Sequence, residues 1–192
     1  ENLFSEKSQS NIGSDIELED KKFIKIFQIF NKFIVSASTS SLIIINQKLA
    51  HQRILYESFL RSMFDSIEDI QKLAFPIELS LSNKQLILFE KIDSEFKSIG
   101  FEYELFDHQL KILTIPSQLK MNSIEEIIDN ILNDEYDSDY TNSLSHSDFF
   151  AKKLSKSSSI KSGKKLNLNE QEFLVNQLFS CKEPNLCPEN KQ

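Results

Sequence analysis

Apolar residues open this chain in short clusters. Phe23-Ile24, Ile26-Phe27, Ile29-Phe30, Phe33-Ile34-Val35 and Leu42-Ile43-Ile44-Ile45 are broken by Asn31-Lys32 and Ser38-Thr39-Ser40-Ser41. Runs rich in β-branched and aromatic residues with turn-formers between them predict two or three strands over residues 23–45. The period then changes. From Gln47 to about Phe64, the residues Leu49, Arg53, Tyr56 or Glu57, Leu60, and Met63 or Phe64 recur at steps of three and four. That spacing predicts a helix with one face on a sheet.

Alternation returns at residues 71–82, where Leu73, Phe75, Ile77, Leu79 and Leu81 predict a long strand with one buried and one wet face. Residues 83–98 predict a second helix, with Leu86, Phe89 or Glu90, Ile92 or Asp93, and Phe96 in its stripe, Ser82 or Asn83 as N-cap and Gly100 as C-cap residue. A hairpin about Asp107-His108 joins strands at 101–106 and 109–115, and Pro116 stops the second of them. A third helix runs from Ser123 to about Leu132, with Glu125 and Glu126 favoured by the dipole of its first turn. Residues 134–147 are acidic and polar and read as a surface loop. Helical patterning resumes at Phe149-Phe150 and 154–160, stops at Gly163, and returns over 169–180.

The elements add up to an α/β (α+β) chain, and 192 residues suffice for one sizeable domain or two small lobes sharing a core; two lobes are expected. With 40% apolar residues, 16 Phe, no Trp and three Gly, the core is aromatic and aliphatic. A net charge of −7 makes the chain as a whole a poor match for a phosphate backbone. The one basic run is Lys152, Lys153, Lys156, Lys161, Lys164 and Lys165 among serines, read as a solvated helix face and turn in preference to a DNA patch. No apolar run reaches the ~20 residues of a membrane span and no signal segment opens the chain, so a cytoplasmic setting is expected. Cys181 and Cys187 alone do not make a zinc site, which normally takes four ligands.

The polar groups most worth chemical attention sit at the strand–helix junction Ile43-Ile44-Ile45-Asn46-Gln47-Lys48-Leu49-Ala50-His51-Gln52-Arg53-Ile54-Leu55-Tyr56-Glu57. This junction resembles that of the MutL C-terminal domain of DNA mismatch repair, where the family reads Asp-Gln-His-Ala-x-x-Glu-x-x-x-x-Glu. The frame is kept, but Asn46 replaces Asp, Lys48 replaces His, Leu49 replaces Ala and Gln52 replaces the first Glu; Gln47 and Glu57 match. Two further motifs are absent or damaged: where the family has Ala-Cys-Arg/Lys this chain has Ser155-Lys156-Ser157, and where it has Cys-Pro-His-Gly-Arg-Pro this chain has Cys187-Pro188-Glu189-Asn190-Lys191-Gln192. A metal-assisted nuclease needs anionic or imidazole ligands, and two neutral amides with an ammonium repel or fail to hold a divalent ion. The junction is therefore read as a structural relic, with no catalytic or metal-binding residue at Asn46, Lys48, Gln52, Glu57 or Cys187. His51 is expected to be a partly exposed helix residue, and Glu57 a partner of Arg53 four positions earlier.

The resemblance covers roughly residues 22–188. It implies a linker end at 1–21, a discontinuous dimerisation lobe at 22–66 and 146–188, an inserted regulatory lobe at 67–145, and a tail at 189–192. It further implies a homodimer, with a seam expected at Phe33, Val35, Ile43 and Ile45 supported by Leu174 and Leu178. Gln71-Lys72-Leu73-Ala74-Phe75-Pro76 resembles the family's motif for the polymerase sliding clamp, in which Gln71 offers hydrogen bonds while Leu73 and Phe75 enter an apolar cleft and Pro76 limits free conformations. Other mismatch-repair proteins are expected partners, and DNA a weak one. No cofactor is expected on this chain; ATP and magnesium belong to an N-terminal ATPase domain preceding the linker, since no phosphate-cradling glycine loop occurs here. The rival reading is a metal-dependent nicking nuclease using Glu57, His51 and Cys187.

Overall fold

A computed structural model describes residues 25–37, 41–64, 70–133 and 143–189. The expected linker at 1–21 and the last residues of the tail lie outside them. Three strands open the described chain: β1 (Lys25–Ile29), β2 (Phe33–Ala37) and β3 (Leu42–Asn46), antiparallel in the order β1-β2-β3. Phe30 and Asn31 turn the first hairpin in left-handed conformations (φ 53° and 48°), which Asn tolerates and Phe rarely adopts.

The helix α1 (Gln47–Phe64) follows β3 directly. It buries Gln47, Ala50, Gln52, Arg53, Leu55 and Phe59, a wider set than the single expected stripe. Leu49, Leu60 and Met63 are only partly covered and Phe64 is exposed. The reason is position: α1 is packed by three later helices as well as by the sheet, so no single face is the inner one.

The middle of the chain holds β4 (Ile70–Ser80), α2 (Asn83–Lys91), α3 (Asp93–Ser98), β5 (Glu102–Phe106), β6 (Gln109–Pro116) and α4 (Ile124–Leu132), with the second sheet ordered β4-β6-β5. The helix expected over 83–98 is broken at Ile92. On a straight helix, rings seven residues apart stand ~10 Å apart along the axis; the break brings Phe89 and Phe96 to a centroid distance of 5.2 Å. Ser82 caps α2 through a reciprocal capping box with Gln85, and Gly100 takes φ 100° after α3.

The expected alternation of β4 also fails at one place. The register steps from Lys72↔Thr114 to Ile77↔Ile112, so a bulge occupies residues 73–76. Leu73 turns inward and is 6% exposed, whereas Phe75 is thrown out at 81%.

The chain closes with α5 (Ser143–Ser158) and α6 (Leu168–Phe179). Part of the expected surface loop at 134–147 is therefore the first turn of α5, and residues 134–142 lie outside the described ones. Asn167 and Glu170 form a capping box at the start of α6.

Two hydrophobic clusters result. The larger joins Leu55 and Phe59 of α1 to Leu73, Phe89, Phe96 and Ile112 of the middle segment and to Phe150 and Leu154 of α5. The smaller joins Ile34 and Ile45 of the first sheet to Ala50 of α1 and to Leu174, Val175 and Leu178 of α6. Each fully buried Phe or Ile of this kind contributes roughly 1.5–3 kcal/mol by leaving water, and α1 is the spine that both clusters share.

Candidate functional site

The junction residues have structural work that accounts for most of them. Asn46 Oδ1 accepts the amides of Lys48 (3.1 Å) and Leu49 (3.3 Å), capping α1. Gln47, 1% exposed, donates from Nε2 to the carbonyls of Asn31 (2.8 Å) and Lys164 (2.9 Å) and accepts from Gln28 Nε2 (2.6 Å). It thereby ties the first hairpin to the segment between α5 and α6. Lys48 is exposed. Gln52 is 2% exposed, and its Nε2 has no protein partner.

His51 is a partly exposed helix residue, as expected, and what the pattern did not show is that its Nδ1 accepts the amide of Ile160 at 3.0 Å, so its proton sits on Nε2. Burial, with the Lys164 and Lys120 ammonium groups adding to it, lowers its pKa to about 4. A neutral acceptor holding another segment is spent as a ligand or base.

Arg53 is the centre that pattern reading missed. It is 4% exposed, and its Nε donates to the Leu186 carbonyl at 2.5 Å while Nη1 stands 3.6 Å from Glu57 and 3.2 Å from Glu183. Glu57 pairs with Arg53 as expected and also accepts the amides of Lys182 (2.8 Å) and Glu183 (3.2 Å). A groove of about 450 Å³ lies beside these groups, lined by residues that include Asn46, Leu49, Ala50 and Arg53 together with Cys187. Lys48 and Gln52 lie off that helical stripe. Among the described residues, no three His, Cys, Asp or Glu side chains converge closely enough to share a metal ion. Cys181 is pushed up to about pKa 11 by burial and by Glu57, and both cysteines are free thiols.

Lysines of the basic run stand in ion pairs: Lys152 with Asp148 (2.7 Å), Lys156 with Glu189 (2.7 Å), Lys161 with Glu126 (3.2 Å) and Lys164 with Glu170 (3.3 Å). Lys153 stands over the Phe149 ring. A solvated, internally balanced face accounts for the run.

The first sheet has two unlike faces. The pairings Gln28↔Ile34↔Ile45 and Ile26↔Ser36↔Ile43 place one set of residues toward α1 and α6. Phe27↔Val35↔Ile44 and the flanking Phe33 and Leu42 lie on the other. There Phe27, Leu42 and Ile44 are 43%, 65% and 62% exposed. The expected seam is thus split. Phe33, partly buried, and Val35, only 5% exposed, lie on the open face, whereas Ile45, Leu174 and Leu178 belong to the smaller core cluster and Ile43 packs against it. The correction follows from the period of two: Ile43 and Ile45 cannot share a face with Ile44. That parity, applied from Val35, was the signal that would have found Phe27 and Ile44.

The clamp-like segment is likewise divided by the bulge. Gln71, Phe75 and Pro76 are exposed, but Leu73 is in the chain's own core and is not free to enter another protein's cleft.

A family model described as the MutL C terminal dimerisation domain matches residues 26–166. A DNA mismatch repair protein MutL of Flavobacterium johnsoniae is 36% identical over 189 residues, 97% of this chain and 29% of that protein. The MutL of Flavobacterium psychrophilum is 34% identical over 97% of the chain and 30% of its own length. That of Chlorobium chlorochromatii is 29% identical over 87% and 26%. The chain spans less than a third of the length of these relatives. With the match running from the first sheet through α5, the chain belongs to the MutL C-terminal dimerisation domain family.

Proposed function

We propose that this chain is the pairing and docking module of a DNA mismatch-repair protein, joining two copies through the open face of the first sheet and cutting no DNA itself. The observation that carries the reading is that face: Phe27, Leu42 and Ile44 exposed around Phe33 and Val35, on a sheet whose other side is already covered. A row of apolar side chains on an otherwise acidic protein is what a partner surface of like chemistry would cover, and a two-fold axis lets one patch meet its own copy. Sedimentation at tens of micromolar tests this directly, and a strictly monomeric protein would sink it.

The positions where the family carries ligands have other work in this chain. Asn46 caps a helix, Lys48 is a cation in solvent, Gln52 is a neutral amide, and Glu57 is taken by two backbone amides and Arg53. Nothing in that set lowers the pKa of a metal-bound water. Supercoiled plasmid incubated with the pure protein and manganese should remain intact, with Glu57→Ala indistinguishable from wild type. Nicking that disappears in Glu57→Ala would establish the rival reading.

Docking of the sliding clamp, and of other mismatch-repair proteins, is proposed for the inserted segment, with Gln71, Phe75 and Pro76 as the clamp contacts. Phe75, presented by the bulge, is the apolar anchor of an extended recognition mode. Phe75→Ala should weaken clamp capture about tenfold or more while leaving the melting temperature unchanged, because the ring is in solvent. Unaltered capture would remove the motif from the account. DNA contact, if carried by the longer protein, is not assigned to the lysine run, whose charges are largely matched by carboxylates.

A further inference from the structure

Among the described residues after α6 there is no further helix or strand, and residues 181–189 run back along α1. Their fastenings are polar and charged. Arg53 holds the Leu186 carbonyl and faces Glu183, Glu57 accepts the Lys182 and Glu183 amides, and Lys156 of α5 stands 2.7 Å from Glu189. Within the stretch only Cys187 and Pro188 are buried. The same stretch lines the groove of about 450 Å³ with Pro184, Asn185, Leu186 and Cys187, where it faces residues of β3 and the end of α6.

We propose that residues 181–189 form a latch over this groove, opening and closing as a unit without unfolding of the two cores. The physical basis lies in what is left behind when the latch lifts. Arg53 keeps its partner Glu57 one turn along the same helix (3.6 Å) and remains over the Tyr56 ring (5.3 Å), so no buried charge is stranded. The released amides and carbonyl return to water. The closed state gains charge-assisted hydrogen bonds, the stronger kind, while residues 181–189 belong to neither hydrophobic cluster. Opening is therefore local and costs less than global unfolding. The inference stands apart from the dimer, since it uses neither Phe27 nor the open sheet face.

Cys187, 3% exposed when the latch is closed, reports the motion. In a Cys181→Ser background, the rate of Cys187 modification by an aromatic disulfide reagent would be followed at increasing urea below the unfolding transition. The expected rate does not change with urea, and Glu183→Gln, which weakens the Arg53 contact of the closed state and leaves the Arg53–Glu57 pair of the open state intact, raises it roughly threefold with the melting temperature held. Lys156→Ala, which frees the Glu189 end, raises it as well. A rate that climbs with urea at the full slope of global unfolding would overturn the latch, as would an unchanged rate in the double variant Glu183→Gln, Lys156→Ala.

Discussion

Replacing Ile44 by glutamate should turn an associating protein into a monomer without loosening its fold. In the isolated chain Ile44 is 62% exposed, so a carboxylate there meets water and costs the monomer little. In a two-fold pair the same position occurs twice, once from each copy. Removing an apolar side chain from a covered surface forfeits roughly 1.5–3 kcal/mol, and facing carboxylates add repulsion. The combined loss is about 3 kcal/mol or more, over a hundredfold in Kd. Sedimentation equilibrium reads the dissociation, and a melting curve at low concentration confirms the fold. Ile45→Glu is the contrasting substitution: Ile45 is 6% exposed in the smaller core, so it should unfold that region instead of merely separating copies. If Ile44→Glu associates as tightly as wild type, the open face is not the seam.

Acidification should destabilise the chain well before most carboxylates titrate, and His51 is the group responsible. Its pKa falls from 6.5 to about 4 on folding, through burial first and then the Lys164 and Lys120 charges. Above pH 6.5 it is neutral in both folded and unfolded chains and the linkage term is flat. Between 6.5 and 4 the unfolded chain binds the proton while the folded one resists it, so stability falls as pH falls. The full shift corresponds to about 3 kcal/mol, reached near pH 4. The geometry gives the same sign. Protonation would set an N–H of the ring against the Ile160 amide that Nδ1 now accepts. His51→Gln retains an acceptor without a titrating group, and urea denaturation of the two proteins at pH 7, 6 and 5 should show a slope in wild type that the variant lacks. Parallel curves would assign the acid sensitivity elsewhere.

Much of the fold was legible along the chain because its signals are local. Strand alternation, the capping residue Ser82, the left-handed turn at Gly100 and the hairpin at Asp107 each depend on a few neighbouring residues. The resemblance at the junction was legible for the same reason. What failed to show were features created by packing. Ile92 breaks a helix whose pattern is continuous, because Phe89 and Phe96 meet only if the axis bends. Phe75 leaves the core because the bulge of β4 absorbs extra residues against β6. Arg53, which reads as an ordinary member of a stripe, became the hub of contacts to residues 183–186, more than 125 positions away.

Residue types alone decided which elements form and removed the carboxylates and the imidazole from the family's ligand positions, since propensity, capping and charge act over a few residues. Only the assembled tertiary structure decided which face of the first sheet is open, whether Leu73 or Phe75 meets solvent, and that Glu57 grips the end of the chain. Those outcomes depend on register and on contacts between distant segments, where one residue's shift exchanges the inside of a strand for its outside.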